Sequence, residues 1–106
     1  MKYTEFIEYG EDKYPFLFSH YAFKEFQKIN LDNGVDLPNM TELGCFLGFK
    51  YGAEIEKVPC KWTRESLAEA FNADPEFNLK VAEVWGKHFE VQKKIQEKLL
   101  GGENPA

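Results

Sequence analysis

The side chains with the widest chemical repertoire are the two cysteines, Cys45 and Cys60, and the two histidines, His20 and His88. They match the ligand types and number of a structural zinc site, but there is no Cys-x-x-Cys pair and no close pair of histidines. A cysteine nucleophile paired with His88 would need a third group to orient the imidazole, and none is identifiable. We therefore expect packing and surface roles, with His88 a satisfied core histidine.

Carboxylate pairs are the second chemical candidate, for example Glu54 with Glu56 and Glu65 with Glu69. Nothing near them in the sequence favours general acid–base catalysis, so they are interpreted as solvated helix faces. No glycine-rich loop follows a strand pattern, so no phosphate cradle is indicated. The sequence therefore predicts no enzyme and no catalytic, cofactor-binding or metal-binding residue.

The composition is that of one small globular domain. The chain has 106 residues, of which 43% are hydrophobic and 29% are charged, which is an ordinary balance for a folded protein. Its net charge of −5 argues against nucleic acid as a partner. No apolar run is long enough for a membrane span, and no leader pattern is present. We expect a cytosolic domain over residues 1–100, a mobile tail over 101–106, and reduced cysteines rather than a Cys45–Cys60 disulfide.

The stretch from Leu43 to Ala53 predicts a central helix that is covered on most sides, because Lys50 is its only charged residue. Gly44, Gly48 and Gly52 recur every fourth residue and therefore share one helix face. A glycine inside a helix costs about 1 kcal/mol relative to alanine. Close approach of another backbone would offset that cost, either within the chain or at a subunit interface.

An N-terminal β-hairpin is predicted from two runs of β-forming residues, 3–9 and 14–18, joined by a turn at 10–13. Pro15 cannot donate to a ladder, so the second strand should be an edge strand or begin pairing after Pro15. A lone hairpin is marginally stable in water. It should therefore pack on the helices or pair with another subunit.

Helix signals divide the rest of the chain. The predicted helices run from an N-cap at Ser19 to about Asn30, from an N-cap at Asn39 to about Glu56, from an N-cap at Thr63 to Ala73, and from an N-cap at Asp74 to about Leu100. Apolar positions of the last helix form a short heptad seam: Phe77, Val81, Val84, His88, Val91 and Ile95, widened by Trp85, Gln92 and Leu99. The predicted fold class is mainly α (α+β), an N-terminal β-hairpin followed by about four helices packed around a buried central helix.

Hairpin aromatics are the candidate partner-binding residues: Tyr3, Phe6, Tyr14, Phe16 and Phe18. Part of this aromatic set should enter the core, and the remainder, on a marginal hairpin, would form an adhesive patch. The sequence leaves open whether the hairpin or the helical seam meets the partner.

Several motifs, taken in order, carry a family resemblance. They are the segment Tyr14-Pro15-Phe16-Leu17-Phe18-Ser19, the helix Leu47-Gly48-Phe49-Lys50-Tyr51-Gly52-Ala53, and the boundaries Thr63-Arg64-Glu65-Ser66-Leu67 and Asp74-Pro75-Glu76. In this order the chain resembles the tail assembly chaperones of long-tailed, siphovirus-type bacteriophages and prophages. The resemblance covers about Tyr14 to Glu76, and the long last helix is compatible with it.

The resemblance implies a non-enzymatic protein of the bacterial host cytoplasm that keeps the phage tape-measure protein soluble before the tail tube polymerises around it. Its partners would be the tape-measure protein and the tail tube protein, with no nucleic acid and no membrane. Many such proteins self-associate, so a homo-oligomer is a further expectation. Many are also made in a second, longer form by a programmed ribosomal frameshift.

Three other classes of function compete with this one, and the first is an enzyme or metal protein of unrecognised type. A small acidic protein of phage origin could mimic DNA and inhibit a host nuclease or repressor, which requires carboxylates spaced like phosphates along one face. A small acidic protein–protein interaction adaptor is the third alternative. Composition does not separate the adaptor from the chaperone, whereas genome context does.

Overall fold

Two strands precede four helices in the computed structural model of the chain, which describes residues 3–33 and 36–101. The strands are β1 (Glu5–Tyr9) and β2 (Asp12–Phe16), and the helices are α1 (His20–Asn33), α2 (Leu37–Glu56), α3 (Arg64–Ala73) and α4 (Pro75–Gly101). The predicted fold class is confirmed. Of the predicted tail 101–106, only Gly101 is described, and it ends α4.

The hairpin is antiparallel and closes at Gly10-Glu11, where Gly10 has a φ of 64° that favours glycine. β2 pairs from Asp12 to Phe16, with Phe6 opposite Pro15, so it begins before the predicted run 14–18. The predicted edge position of β2 is confirmed, and the alternative, pairing only after Pro15, is wrong. Each strand of a two-stranded sheet has one free edge. Pro15 therefore fits within β2 although it cannot donate a hydrogen bond.

The central helix α2 begins earlier than the sequence indicated. Asp36 is its N-cap, and its side chain accepts a hydrogen bond from the backbone N–H of Asn39 at 3.1 Å. Pro38 lies in the first turn, where a missing N–H costs no intrahelical bond. The prediction of Asn39 as the cap is therefore wrong. The predicted end at Glu56 is confirmed, and Lys57 closes the helix with a left-handed φ of 60°.

The glycine face of α2 receives other parts of the same chain. The ring of Trp85 lies against Gly44, and the ring of Phe16 lies against Gly48. At Gly52 the neighbour is the backbone of β2. A side chain at any of these positions would collide with those groups, so the glycines permit close packing. Of the two interpretations left open by the sequence, packing within one chain is confirmed.

Polar contacts fix the position of α2 against its neighbours. The backbone N–H of Leu17 donates to the carbonyl of Gly48 at 2.9 Å and ties the end of the hairpin to the helix. Lys50, the only charge in the buried stretch, lies 3.1 Å from the Glu25 carboxylate on α1. The Tyr51 hydroxyl donates to the same carboxylate at 2.6 Å. Charge on the central helix is thus paired across the α1–α2 contact.

Three predicted N-caps are confirmed. Ser19, Thr63 and Asp74 each accept a hydrogen bond from the backbone N–H three residues later, at 3.3, 2.9 and 3.1 Å. Such caps satisfy N–H groups that have no partner within the helix. α1 continues to Asn33, beyond the predicted end near Asn30.

Aromatic rings fill much of the core in two groups. Under the hairpin, the rings in contact are Tyr9, Tyr14, Phe49, Trp62 and Phe77. Between α1 and α4, they are Phe18, Phe23, Phe26, Trp85 and Phe89. Most of the aromatic residues therefore stabilise the fold, and few remain for a surface.

Candidate functional site

A surface groove of about 640 Å³ runs beside α4, where the start of the hairpin and the segment between β2 and α1 meet that helix. A smaller depression of about 220 Å³ lies between α1 and α4. Both are lined by His20, Gln92 and Ile95, so we treat them as one feature, the α1–α4 groove. Its other lining residues are Tyr3, Glu5, Leu17, Phe18, Ser19, Phe23, Lys24, Gln27, His88, Val91, Gln96 and Leu99.

The apolar side of this groove comes from the C-terminal half of α4. Val91, Ile95 and Leu99 are 55%, 46% and 69% exposed, whereas Phe77 and Val81, on the same seam, are 4% and 0% exposed. The seam therefore enters the core over its first half and leaves it over its second half. An α-helix rises 1.5 Å per residue, so the 27 residues of α4 extend about 40 Å, against about 30 Å for the 20 residues of α2. The apolar stripe continues where the core ends.

A polar network orders the hairpin wall of the groove. Nδ1 of His88 accepts the backbone N–H of Phe18 at 3.1 Å, and Nε2 lies 2.7 Å from Oε2 of Glu5. Because Nδ1 is an acceptor, the ring proton lies on Nε2 and is donated to Glu5. The predicted role of His88 as a satisfied histidine is therefore confirmed.

Glu5 is the carboxylate of this wall. Burial acts to raise the pKa of Glu5, but the hydrogen bond from His88 and the positive charge of Lys87, whose Nζ lies 3.4 Å from Oε1, outweigh it and lower that pKa. Glu5 is thus ionised at neutral pH and its charge is balanced by neighbours on α4.

One side-chain hydrogen bond joins α1 and α4, the two helices of the groove. The side-chain amide of Gln27 on α1 donates to the side-chain oxygen of Gln96 on α4 at 3.3 Å. The last core ring on α4, Phe89, contacts α1 two turns earlier through Phe23 and Phe26. Past Phe89, α4 is therefore held to α1 by polar contact while its apolar side faces the groove.

A second depression, the Trp62 cleft, has a volume of about 400 Å³ and lies where the hairpin meets α2 and residues 58–62. Its apolar lining includes Phe6, Tyr14, Phe49, Val58 and Trp62. The indole Nε1 of Trp62 is buried and has no hydrogen-bond partner among the described residues. The charges at this cleft have both signs, contributed by Lys13, Glu56 and Lys61, so it shows no preference for a charged partner.

The predicted partner-binding residues separate into surface and core. Tyr3 and Phe6 are 71% and 55% exposed, and Tyr14 is half-buried. Phe16 and Phe18 are both 0% exposed, so the prediction that they form part of a surface patch is wrong. β2 turns Phe16 toward α2, where the glycine face leaves room for its ring. Phe18, two residues after the end of β2, packs between α1 and α4.

The structure does not bring the predicted patch together. Tyr3 lines the α1–α4 groove with Phe18 beneath it, whereas Phe6 and Tyr14 line the Trp62 cleft. Phe6 lies opposite Pro15 and Tyr14 lies opposite Ile7, so these two residues belong to opposite faces of the hairpin although both line the cleft. The hairpin aromatics therefore contribute to two different surfaces.

The sequence leaves open that the helical seam, which includes Val91, Ile95 and Leu99, meets the partner, but it does not single out these three positions as the exposed ones. A signal was available, because α4 is longer than the helix it packs against and its apolar periodicity does not stop at the last aromatic residue, Phe89. A stripe longer than its partner must leave the core at one end. His20 and Gln27, on the opposite wall, carry no comparable signal.

Three of the four candidate chemical residues line the two surfaces, with His20 and His88 at the α1–α4 groove and Cys60 at the Trp62 cleft. Cys45 is buried and Cys60 is exposed, and both thiols are free. Burial, with the nearby charge of Glu42, raises the pKa of the Cys45 thiol to about 12, so it stays protonated and unreactive at neutral pH. Within residues 3–33 and 36–101, no three His, Cys, Asp or Glu side chains are placed to hold a metal ion.

The described helices were also compared with the requirements of a membrane span. None of them, over the part of the chain that the structure describes, combines the length and apolarity needed to cross a bilayer.

Comparison of the chain with protein-family models, with curated proteins and with solved structures gave no match. What the protein does is therefore inferred from the two surfaces themselves.

Proposed function

We propose that this protein is a non-enzymatic tail assembly chaperone of phage or prophage origin, which binds the tape-measure protein and keeps it soluble in the host cytoplasm until the tail tube forms. The observation that carries the proposal is the apolar seam of α4, which leaves the core and lines an open groove with Val91, Ile95 and Leu99. Large exposed apolar side chains collected along one groove are typical of a protein-binding surface.

The groove suits a helical client. A tape-measure protein is long and largely helical, and its apolar faces need cover before assembly. A helix laid into an apolar groove buries such a face without any chemical change in either partner. Because the tube protein must later replace the chaperone, each contact should be modest, and many copies along one client supply the total affinity. The tail tube protein and further copies of this chain belong to the same proposed assembly.

The charge distribution gives less support to a DNA mimic. Two helix carboxylates are paired with cations across helix contacts, Glu25 with Lys50 and Glu42 with Arg64, each at 3.1 Å. A phosphate-like row would present unpaired carboxylates on one face. We therefore place the interaction adaptor, rather than the mimic, second.

Gene context and co-expression test the proposal together. We expect a slippery codon run near the end of this reading frame, an overlapping second frame, and then a gene for a very long helical protein. Co-expression should keep that long protein soluble, and the two should purify as a complex. If the long protein were equally soluble alone and bound none of this chain, the chaperone proposal would be wrong.

A further inference from the structure

We propose that the α1–α4 groove binds an amphipathic helix whose apolar stripe is flanked by carboxylates. The inference rests on the proposed function for the identity of the client, whereas the chemistry of the occupant follows from the charges around the groove. A helix with neutral or basic flanks would be a poor occupant.

The floor of the groove presents a stripe that matches one side of a second helix. Val91, Ile95 and Leu99 follow each other at four-residue intervals, so they form one ridge about 12 Å long. Tyr3, 71% exposed, stands on the hairpin side of that ridge, and His20 stands on the α1 side. A helix lying along the ridge would contact both walls with its own apolar side chains.

Lysines border this ridge on its solvent side. Lys94 is three residues after Val91, and Lys98 is three residues after Ile95, so each lies on the helix surface next to a ridge residue. Both side chains are exposed, and neither forms an ion pair among the described residues. Lys87, four residues before Val91, lies on the same side of the helix but is paired with Glu5 at 3.4 Å, so it adds no unpaired charge.

The acidic residues of this part of α4 lie farther from the ridge. Glu97 is two residues from both Ile95 and Leu99, which places it on the opposite side of the helix. Glu90 precedes Val91 and lies beyond Lys94, toward the outer surface. Lys94 and Lys98 therefore lie nearer the ridge than Glu90 and Glu97 do, whereas Lys93 faces away from it.

The remaining walls do not offset this positive charge. Glu5 lines the groove, but its charge is already shared between His88 and Lys87. On α1 the charged lining residue is Lys24. In a chain with a net charge of −5, the unpaired charges that the structure describes at this groove, those of Lys24, Lys94 and Lys98, are positive, and an acidic-flanked helix is their electrostatic complement.

A second copy of the chain fits the groove less favourably. A two-fold symmetric contact brings the same surface of both copies together. Lys94 and Lys98 of each copy would then surround one buried stripe with charges of one sign, which opposes association. The observations therefore favour a different protein as the occupant.

Two designed peptides provide the probe. Both are helical peptides of about 18 residues, or about five turns, with the same leucine stripe. One has Glu at the positions flanking the stripe, and the other has Lys there. Binding of each fluorescently labelled peptide to the full chain is measured by anisotropy at low and high salt.

Neighbouring lysines on α4 provide matched variants. Lys94→Glu reverses a charge beside the ridge, whereas Lys93→Glu makes the same reversal on the side that faces away, since Lys93 lies two residues from Val91 and from Ile95. Ile95→Asp places a carboxylate on the ridge itself. All three positions are exposed, so folding should be preserved, and circular dichroism checks it.

We expect the Glu-flanked peptide to bind about tenfold more tightly than the Lys-flanked peptide at low salt, with a smaller ratio at high salt. Lys94→Glu should weaken binding of the Glu-flanked peptide about fivefold, and Lys93→Glu should change it less than twofold. Ile95→Asp should abolish binding. The double variant Lys94→Glu/Lys98→Glu should prefer the Lys-flanked peptide.

Four results would overturn the proposal. They are no binding of either peptide, equal binding of both, binding that survives Ile95→Asp in a folded chain, and a dimer of the chain that Ile95→Asp converts to monomers. The last result would assign the groove to a second copy.

Comparison with the long helical protein separates this inference from the proposed function. If that protein binds the chain and Ile95→Asp and Lys94→Glu have no effect, the groove assignment is wrong and the chaperone proposal stands. If the Glu-flanked peptide behaves as expected but the long protein does not bind, the groove assignment stands and the client is a different protein.

Discussion

At the residue scale, the hydroxyl of Tyr51 donates a 2.6 Å hydrogen bond to Glu25, and this raises the pKa of Tyr51 to about 12, with burial adding to the effect. For Glu25, burial acts to raise the pKa, but the bonds from Tyr51 and Lys50 outweigh it and the pKa is lowered. The two groups stabilise the fold in opposite pH directions. The Glu25 contribution is present above about pH 4.5 and is lost in acid.

The Tyr51 contribution gives an alkaline test. A phenol whose folded pKa is raised stabilises the fold below its unfolded pKa of about 10 and loses that effect as the pH approaches 12. The phenolate absorbance is measured against pH for the wild type and for Tyr51→Phe. The difference between the two curves reports Tyr51 and should show a transition near pH 12. In Glu25→Gln the Tyr51 transition should move to lower pH. A difference transition near pH 10 in the wild type would show that the bond to Glu25 is not formed.

Residue identity alone did not separate surface aromatics from core aromatics. Phe6 and Phe16 are the same residue type on paired strands, yet one is 55% and the other 0% exposed. Alternation along a strand predicts that Tyr14 and Phe16 share a face, and it does so correctly. Which face of β2 meets the helices depends on its contact with the glycine face of α2. That contact joins segments far apart in the sequence.

At the element scale, the hairpin is held because its backbone reaches α2 at Gly52. A Cβ added there would lie 2.6 Å from the carbonyl oxygen of Pro15 and 2.7 Å from backbone atoms of Phe16. Real Cβ atoms do not approach backbone this closely, so a side chain at this position must displace β2. Gly86 on α4 is the matched position, because nothing lies within 4 Å of its added Cβ.

These two glycines should therefore respond oppositely to alanine. Gly52→Ala should lower the free energy of unfolding by about 1–3 kcal/mol, because overpacking exceeds the gain in helix propensity. Gly86→Ala should raise it by about 0.5–1 kcal/mol, because only the propensity changes. Urea denaturation measures both values. Equal stabilisation by the two substitutions would mean that β2 does not lie against α2 as described.

At the scale of the whole molecule, α4 extends beyond the elements that it packs against. The molecule measures 49 × 34 × 21 Å, and the residues of α4 past Phe89 extend beyond the aromatic core. Among their contacts with α1 is the Gln27–Gln96 hydrogen bond, while Val91, Ile95 and Leu99 remain largely exposed. Segments with few buried apolar contacts open locally at a lower free energy than the core does.

Hydrogen exchange should follow this gradient. Backbone amides of α4 around Val81, which is 0% exposed, should exchange only on global unfolding, whereas amides after Gln92 should exchange faster through local opening. A helix bound in the α1–α4 groove should slow the second group and leave the first unchanged. Uniform protection along α4 in the free chain would contradict the gradient.

Local signals in the sequence predict the helices, the strands and most of their ends. Ser19, Thr63 and Asp74 were identifiable as caps because a cap acts within one helical turn, and the glycine face of α2 was visible because its spacing is local. Asp36 was missed as the cap of α2, because Asn39 and Asp36 are both capping residue types within a few positions of each other.

Which apolar surfaces remain exposed depends on the tertiary structure. The apolar positions of the α4 seam keep the same spacing from Phe77 to Ile95, in the buried half and in the exposed half. Where the seam leaves the core depends on the lengths and positions of α1, α2 and the hairpin, set by contacts between segments far apart in the sequence. For the same reason, the lysines beside Val91 and Ile95 are ordinary surface residues in the sequence and border a groove in the fold.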